Sequence, residues 1–183
     1  MKKLFPILVL ILSTLIGNSF FNIKENIVRA QLITLLIDDS FNDFEKDQIY
    51  KAVQEWERGT NKIVSFTSSM KNTEQIVYLQ KTHSDDSEVN FINEVNNQQF
   101  TGYALKEAWG WRILIVRDLI PTGFFKRTII HELGHVLHLR HLARDHTAMN
   151  PYLNKGSDCL TYEDLFQFCD LYKCPISKMN YCD

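Results

Sequence analysis

Histidine and glutamate crowd into one stretch of the chain, His131-Glu132-Leu133-Gly134-His135-Val136-Leu137-His138-Leu139-Arg140-His141, and five of the six histidines fall between positions 131 and 146. Side chains four apart share one helix face at roughly 5–6 Å, so His131 and His135 can turn both imidazoles toward one metal ion. Glu132 then lies about 100° around the helix, beside such an ion rather than on it. That is where a general base for water activated at a metal belongs. A third imidazole would leave one coordination position open, which is how a catalytic zinc is held, whereas a structural zinc is closed. The chemistry within reach of these residue types at this spacing is metal-assisted hydrolysis, with a peptide bond as the expected substrate.

Three groups compete for the third ligand position. A helix continued past His135 would carry His141 about 15 Å along the axis from His131, so His141 can serve only if the chain bends back near residue 138. A non-glycine residue at the positive φ of such a bend costs about 1–2 kcal/mol, although histidine is among the residues found there more often than most. His138 shares the face of His131 but stands about 10 Å away along an unbroken helix, and would ligate only after distortion. Glu163 is a downstream carboxylate. The expected set is metal ligands His131, His135 and His141, with Glu132 as the catalytic base.

The elements that must position these residues follow from periodicity and punctuation. Ile129, Ile130, Leu133, Val136 and Leu137 recur at helical spacing and put the motif on a half-buried helix, opened by Pro121-Thr122. Leu32–Ile37 reads as a strand ending in a turn at Asp38-Asp39-Ser40. Asn42 or Asp43 caps a helix reaching about Arg58, with Phe44, Ile49, Ala52, Val53 and Trp56 on its apolar stripe. Ile63–Thr67, Ile76–Leu79, Thr101–Leu105 and Ile113–Val116 read as further strands, with Thr101–Leu105 at a sheet edge. Residues 82–100 are polar and loop-like, with a short helix near 87–96. Thr161, with Asp164 three residues later, is a capping-box-like start for a last helix. This order implies an α+β fold of α/β sandwich-like form: a mixed, twisted sheet of four to five strands with two helices on one face.

The two ends carry separate signals. Lys2, Lys3 and the apolar run Leu4–Gly17 read as a secretory signal over residues 1–19, with cleavage as late as Ala30 an alternative. That apolar run is short for a membrane span, so a membrane is a partner only if the segment stays uncleaved. Without residues 1–30 the chain carries 16 Lys and Arg against 21 Asp and Glu, a net charge near −5 that gives nucleic acid no purchase. Cys159, Cys169, Cys174 and Cys182 all lie in the last twenty-five residues. In an exported chain such an even set reads as two disulfides with three connectivities open, the rival being a second zinc site.

His131–His141 followed by His146-Thr147-Ala148-Met149-Asn150-Pro151 resembles the metzincin zinc peptidases, whose pattern is H-E-x-x-H-x-x-G-x-x-H with a later Met-turn. The eight residues from His141 to Met149, and Pro151 two beyond, are most similar to the matrixin (matrix metalloproteinase-like) branch. The family's glycine after the second ligand is here His138. The resemblance implies a zinc peptidase catalytic domain over about 31–183, with the long N-terminal helix and the zinc-bearing helix on one face of the sheet. The Met-turn and C-terminal helix would lie below the cleft, with Met149 as an apolar floor under the metal and Tyr152 beside a substrate pocket. It further implies one catalytic Zn2+, with Ca2+ or a second structural Zn2+ around His83 as an open alternative to a solvated loop. Expected with it are a protein or peptide substrate, a monomer, and a secreted, extracellular or periplasmic location. A non-catalytic zinc-binding or adhesion module and a peptidase with a downstream glutamate ligand are the competing readings; retention of Glu132 argues against the first.

Overall fold

The computed structural model describes residues 30–71, 73 and 75–182, and the expected signal segment lies outside them. Along the described chain run β1 (Gln31–Ile37), α1 (Asp43–Gly59), β2 (Val64–Thr67), β3 (Gln75–Thr82), α2 (Ser87–Asn96), β4 (Gly102–Glu107), β5 (Gly110–Val116), α3 (Phe125–Val136) and α4 (Tyr162–Tyr172). The strands form one sheet in the order β2-β1-β3-β5-β4, parallel except for the antiparallel edge strand β4. The fold is the α+β class with the mixed sheet expected. None of the described helices is long and apolar enough to cross a membrane.

Alternation along β5 assigns the layers. Trp111, Ile113 and Ile115 enter the main core, while Leu114 and Val116 enter a second cluster on the other face, as a side-chain period of two requires. The main core holds Ile49, Ala52, Val53 and Trp56 of α1 against Ile129, Ile130, Leu133 and Val136 of α3, so these two helices share one face. Beneath α2 the second cluster joins Val89 to Tyr103, Leu114 and Val116. The short helix expected near 87–96 is α2, and it covers the face opposite the motif. Arg112 of β5 binds it in place, reaching Glu88 of α2 and Glu107 of β4.

Asn42, not Asp43, caps α1: its Oδ1 accepts from Glu45 N–H at 2.9 Å while Glu45 Oε2 accepts from Asn42 N–H at 3.0 Å, a reciprocal capping box. The same buried Glu45 receives Lys81 Nζ at 3.0 Å and Arg117 Nε at 2.6 Å, tying α1 to β3 and to the turn after β5. Phe44, expected on the apolar stripe, is instead 52% exposed; Phe41, one residue before the cap, is buried and packs edge-on against Phe125 of α3. Core space beside α3 is filled from outside the helix, which leaves the first turn's aromatic to solvent.

The cysteines pair as Cys159–Cys182 and Cys169–Cys174, so no four-thiolate zinc site forms. The first bond ties the chain end to the segment entering α4, and the second closes over the C-terminus of α4. Loop-closure entropy makes them worth about 3 and about 2 kcal/mol respectively. Thiol titration of the denatured, unreduced protein is expected to find no free thiol; four titratable thiols would refute both bonds.

Candidate metal centre

The motif helix is placed by its apolar side. Ile129, Ile130, Leu133 and Val136 are almost fully buried, and the Trp56 indole of α1 donates its N–H to the Ile130 carbonyl at 3.0 Å. That face locks α3 onto the core and turns His131, Glu132 and His135 toward the cleft. A 3-10 turn at Thr122–Phe124 precedes α3, so Pro121 opens that turn and the regular helix begins only at Phe125. Gly134, between the two ligand candidates, lies against the Met149 thioether, and a Cβ there would collide with the sulfur. Met149 is fully buried, with its thioether against Gly134 of the motif helix.

The bend falls at residue 138. His138 has φ 64°, Leu139 N–H reaches back to the Gly134 carbonyl at 2.9 Å, and His138 N–H reaches the His135 carbonyl at 2.9 Å. This pair of bonds around a left-handed residue is a Schellman C-cap, with histidine where glycine is usual. The imidazole of His138 points away from the other histidines and rests edge-on against the Trp111 ring. Reversal of the chain brings His141 alongside the helix, where Leu142 N–H bonds the Met149 carbonyl at 2.8 Å. Of the three contenders, His141 joins the cluster; Glu163 lies on α4 and pairs with Arg144.

The Nε2 atoms of His131, His135 and His141 form a triangle with every edge 3.1 Å. A tetrahedral zinc with Zn–N of about 2.0–2.1 Å needs N···N separations near 3.3–3.4 Å, so the triangle fits within a few tenths of an ångström. The second nitrogens show that no hydrogen bond joins His131 to His135. His131 Nδ1 faces the Ala148 carbonyl at 2.8 Å and His135 Nδ1 faces the Leu139 carbonyl at 3.0 Å. Carbonyls only accept, so both Nδ1 atoms carry protons and both Nε2 atoms present lone pairs to each other. Burial, joined by the His135 neighbour, pushes His131 down to about 3, and burial also lowers His135 and His141. Two Nε2 lone pairs fixed in this way, with the Nε2 of His141 at the same spot, are a donor set for a divalent, imidazole-binding cation. Among the described residues this is the one group of three or more His, Cys, Asp or Glu with converging ligand atoms.

The Ala148 carbonyl that orients His131 is itself held from below. Asp164, fully buried in the first turn of α4, accepts Ala148 N–H at 2.8 Å, Met149 N–H at 3.0 Å, and both the N–H and hydroxyl of Thr161. The α4 cap expected at Thr161 and Asp164 therefore also supports the turn at Ala148 and Met149 and, through one peptide, the tautomer of His131. The sequence signal for Asp164 was its cap position alone; its second role depends on contacts 15 and 16 residues back along the chain.

Glu132 is 5% exposed and faces the cleft, and burial alone pushes its carboxyl up to about 8. The cleft, about 670 Å³, runs from β4 and residues 98–101 across the histidines to Pro151–Gly156. Arg127 closes its far wall, bonded to Asp158 at 3.0 Å and the Leu153 carbonyl at 2.8 Å. Tyr152 lines the cleft with its ring largely exposed. His83 and His146 stay outside: His83 is exposed near Asp118, and no second ligand group among the described residues supports Ca2+ or structural Zn2+ there.

No family model matches this sequence, and neither does any curated protein. Among solved structures the chain is similar to high choriolytic enzyme 1, a hatching enzyme zinc-protease from the medaka fish Oryzias latipes. The identity is 13% and the TM-score 0.49, over 79% of this chain and 90% of that one.

Proposed function

We propose that this chain is a zinc-dependent endopeptidase of matrixin-like metzincin type, with His131, His135 and His141 holding the ion and Glu132 as general base. The observation that carries the reading is the 3.1 Å triangle of Nε2 lone pairs with a carboxylate beside it at the cleft. Zinc bound there supplies Lewis acidity, polarising a carbonyl and lowering the pKa of a coordinated water toward roughly 7. The protein's residues do the rest. His131 and His135 are fixed as neutral tautomers by two backbone carbonyls. Glu132 accepts the proton of the attacking water and returns it to the departing amine.

The substrate is an extended peptide laid along β4. Val116 N–H bonds the Thr101 carbonyl at 3.0 Å, and Tyr103 pairs with Leu114. In an antiparallel ladder alternate residues bond inward, so Gly102, Ala104 and Lys106 turn their N–H and C=O groups outward along the sheet edge. Those free groups offer a peptide backbone a strand to pair with. Export of the protein, to the extracellular space or a periplasm, is supported by the two disulfides.

Metal analysis together with digestion of a mixed peptide library tests this. The protein is expected to hold about one zinc per chain, to cleave internal peptide bonds, to lose activity to a chelator and to regain it with zinc. Zinc-loaded, folded protein that cleaves nothing in the library would replace this reading with the non-catalytic module.

A further inference from the structure

No described residue gives Glu132 a hydrogen bond. Packing must therefore set where the carboxyl stands. The surface it packs on is a single backbone position of β4. A Cβ built on Gly102 would lie 2.6 Å from Glu132 Oε1 and 2.9 Å from both its Cδ and Cγ. Unbonded carbons pack at about 3.5–4.0 Å, so no side chain fits at 102 while Glu132 stays in place. Conformational freedom is not the reason for glycine here, since Gly110 is the one described glycine with positive φ. What the position uses is the missing atom.

We propose that Gly102 is the positioning residue for Glu132. Its bare backbone is the stop against which the carboxyl rests, and that contact sets where the base stands beside the imidazole cluster. The neighbouring residues of β4 cannot substitute for it, because Tyr103 and Leu105 face the second cluster on the far side of the sheet and Ala104 packs against the main core. The same Gly102 turns its N–H and C=O to the outer edge of β4. One residue thus fixes the separation between the base and the strand that receives the substrate. This rests on Glu132 being the base.

The test is a pair of mutant cycles on the full zinc-loaded protein. Gly102→Ala is expected to lower kcat by about 10²-fold, the scale of an ångström's misplacement of a catalytic group, with KM and zinc content unchanged. Glu132→Asp alone also lowers kcat, because its carboxyl withdraws from the cluster. In the double variant the loss is smaller than the product of the two, since the shorter side chain vacates the space the new Cβ takes. Wild-type kcat in Gly102→Ala, or effects that simply multiply, overturns the proposal. Thermal melting reads the contact without activity: Gly102→Ala lowers Tm when Glu132 is present and leaves it unchanged in a Glu132→Ala background. Equal losses of Tm, or failure to fold, in both backgrounds also overturns it. Full activity in Glu132→Gln would instead sink Glu132 as base, a result distinct from any in the melting comparison.

Discussion

Glu132→Gln is expected to lower peptide hydrolysis by at least about 10²-fold, the scale of losing a general base, while the protein keeps about one zinc per chain. Glutamine has nearly the same shape, so it still fits against Gly102 and still faces the cleft. It carries no charge and cannot take a proton from water. Folded stability should not fall. The wild-type carboxyl is 5% exposed and burial favours its uncharged form, so glutamine replaces it at matched size without burying a charge. Zinc content, a melting curve and kcat on one peptide decide the matter. Loss of zinc along with activity would make Glu132 a ligand, and the mechanism proposed for it would be wrong.

His141→Ala is expected to abolish turnover and to weaken zinc binding by more than the roughly 10–100-fold that loss of an outer-shell partner costs. The two imidazoles left on α3 do not hold a catalytic ion by themselves, and His138 cannot replace the third: its ring lies against Trp111. His138→Gly is expected to be tolerated, with zinc and activity retained. The left-handed backbone at φ 64° costs a non-glycine residue about 1–2 kcal/mol, and glycine's extra unfolded-state entropy offsets about 0.5–1, leaving a gain of about 0–1.5 kcal/mol. Isothermal zinc titration and thermal melting of both variants distinguish the assignments. Zinc lost in His138→Gly and kept in His141→Ala would overturn the ligand set.

The features legible in the sequence are those set by neighbours along the chain. His131, Glu132 and His135 needed only the helical repeat, because residues four apart share a face wherever the helix lies. The caps at Asn42 and Thr161 were readable because a cap side chain bonds a backbone group three residues on. The bend at 138 could be inferred from the distance His141 had to recover, and the left-handed backbone there agrees. Four late cysteines implied two disulfides.

What only the tertiary structure decided involves partners far apart in sequence. The choice of His141 over His138 and Glu163 depended on which way the chain turned after the Schellman cap and on the Leu142–Met149 bond that holds it there. The disulfide pairing depended on the path of α4 and the chain end. Phe44 was misplaced because Phe41, outside the helix, took the core position beside α3. The side of the sheet taken by α2 was set by which residues of β4 and β5 point that way. Gly102 carries no motif and Asp164 only that of a helix cap; one matters for an atom it lacks against a side chain 30 residues on, the other for a peptide it holds beside His131. Local spacing determined which groups could meet a metal. Packing determined which of them converge, because that depends on distances in space that no repeat along the chain encodes.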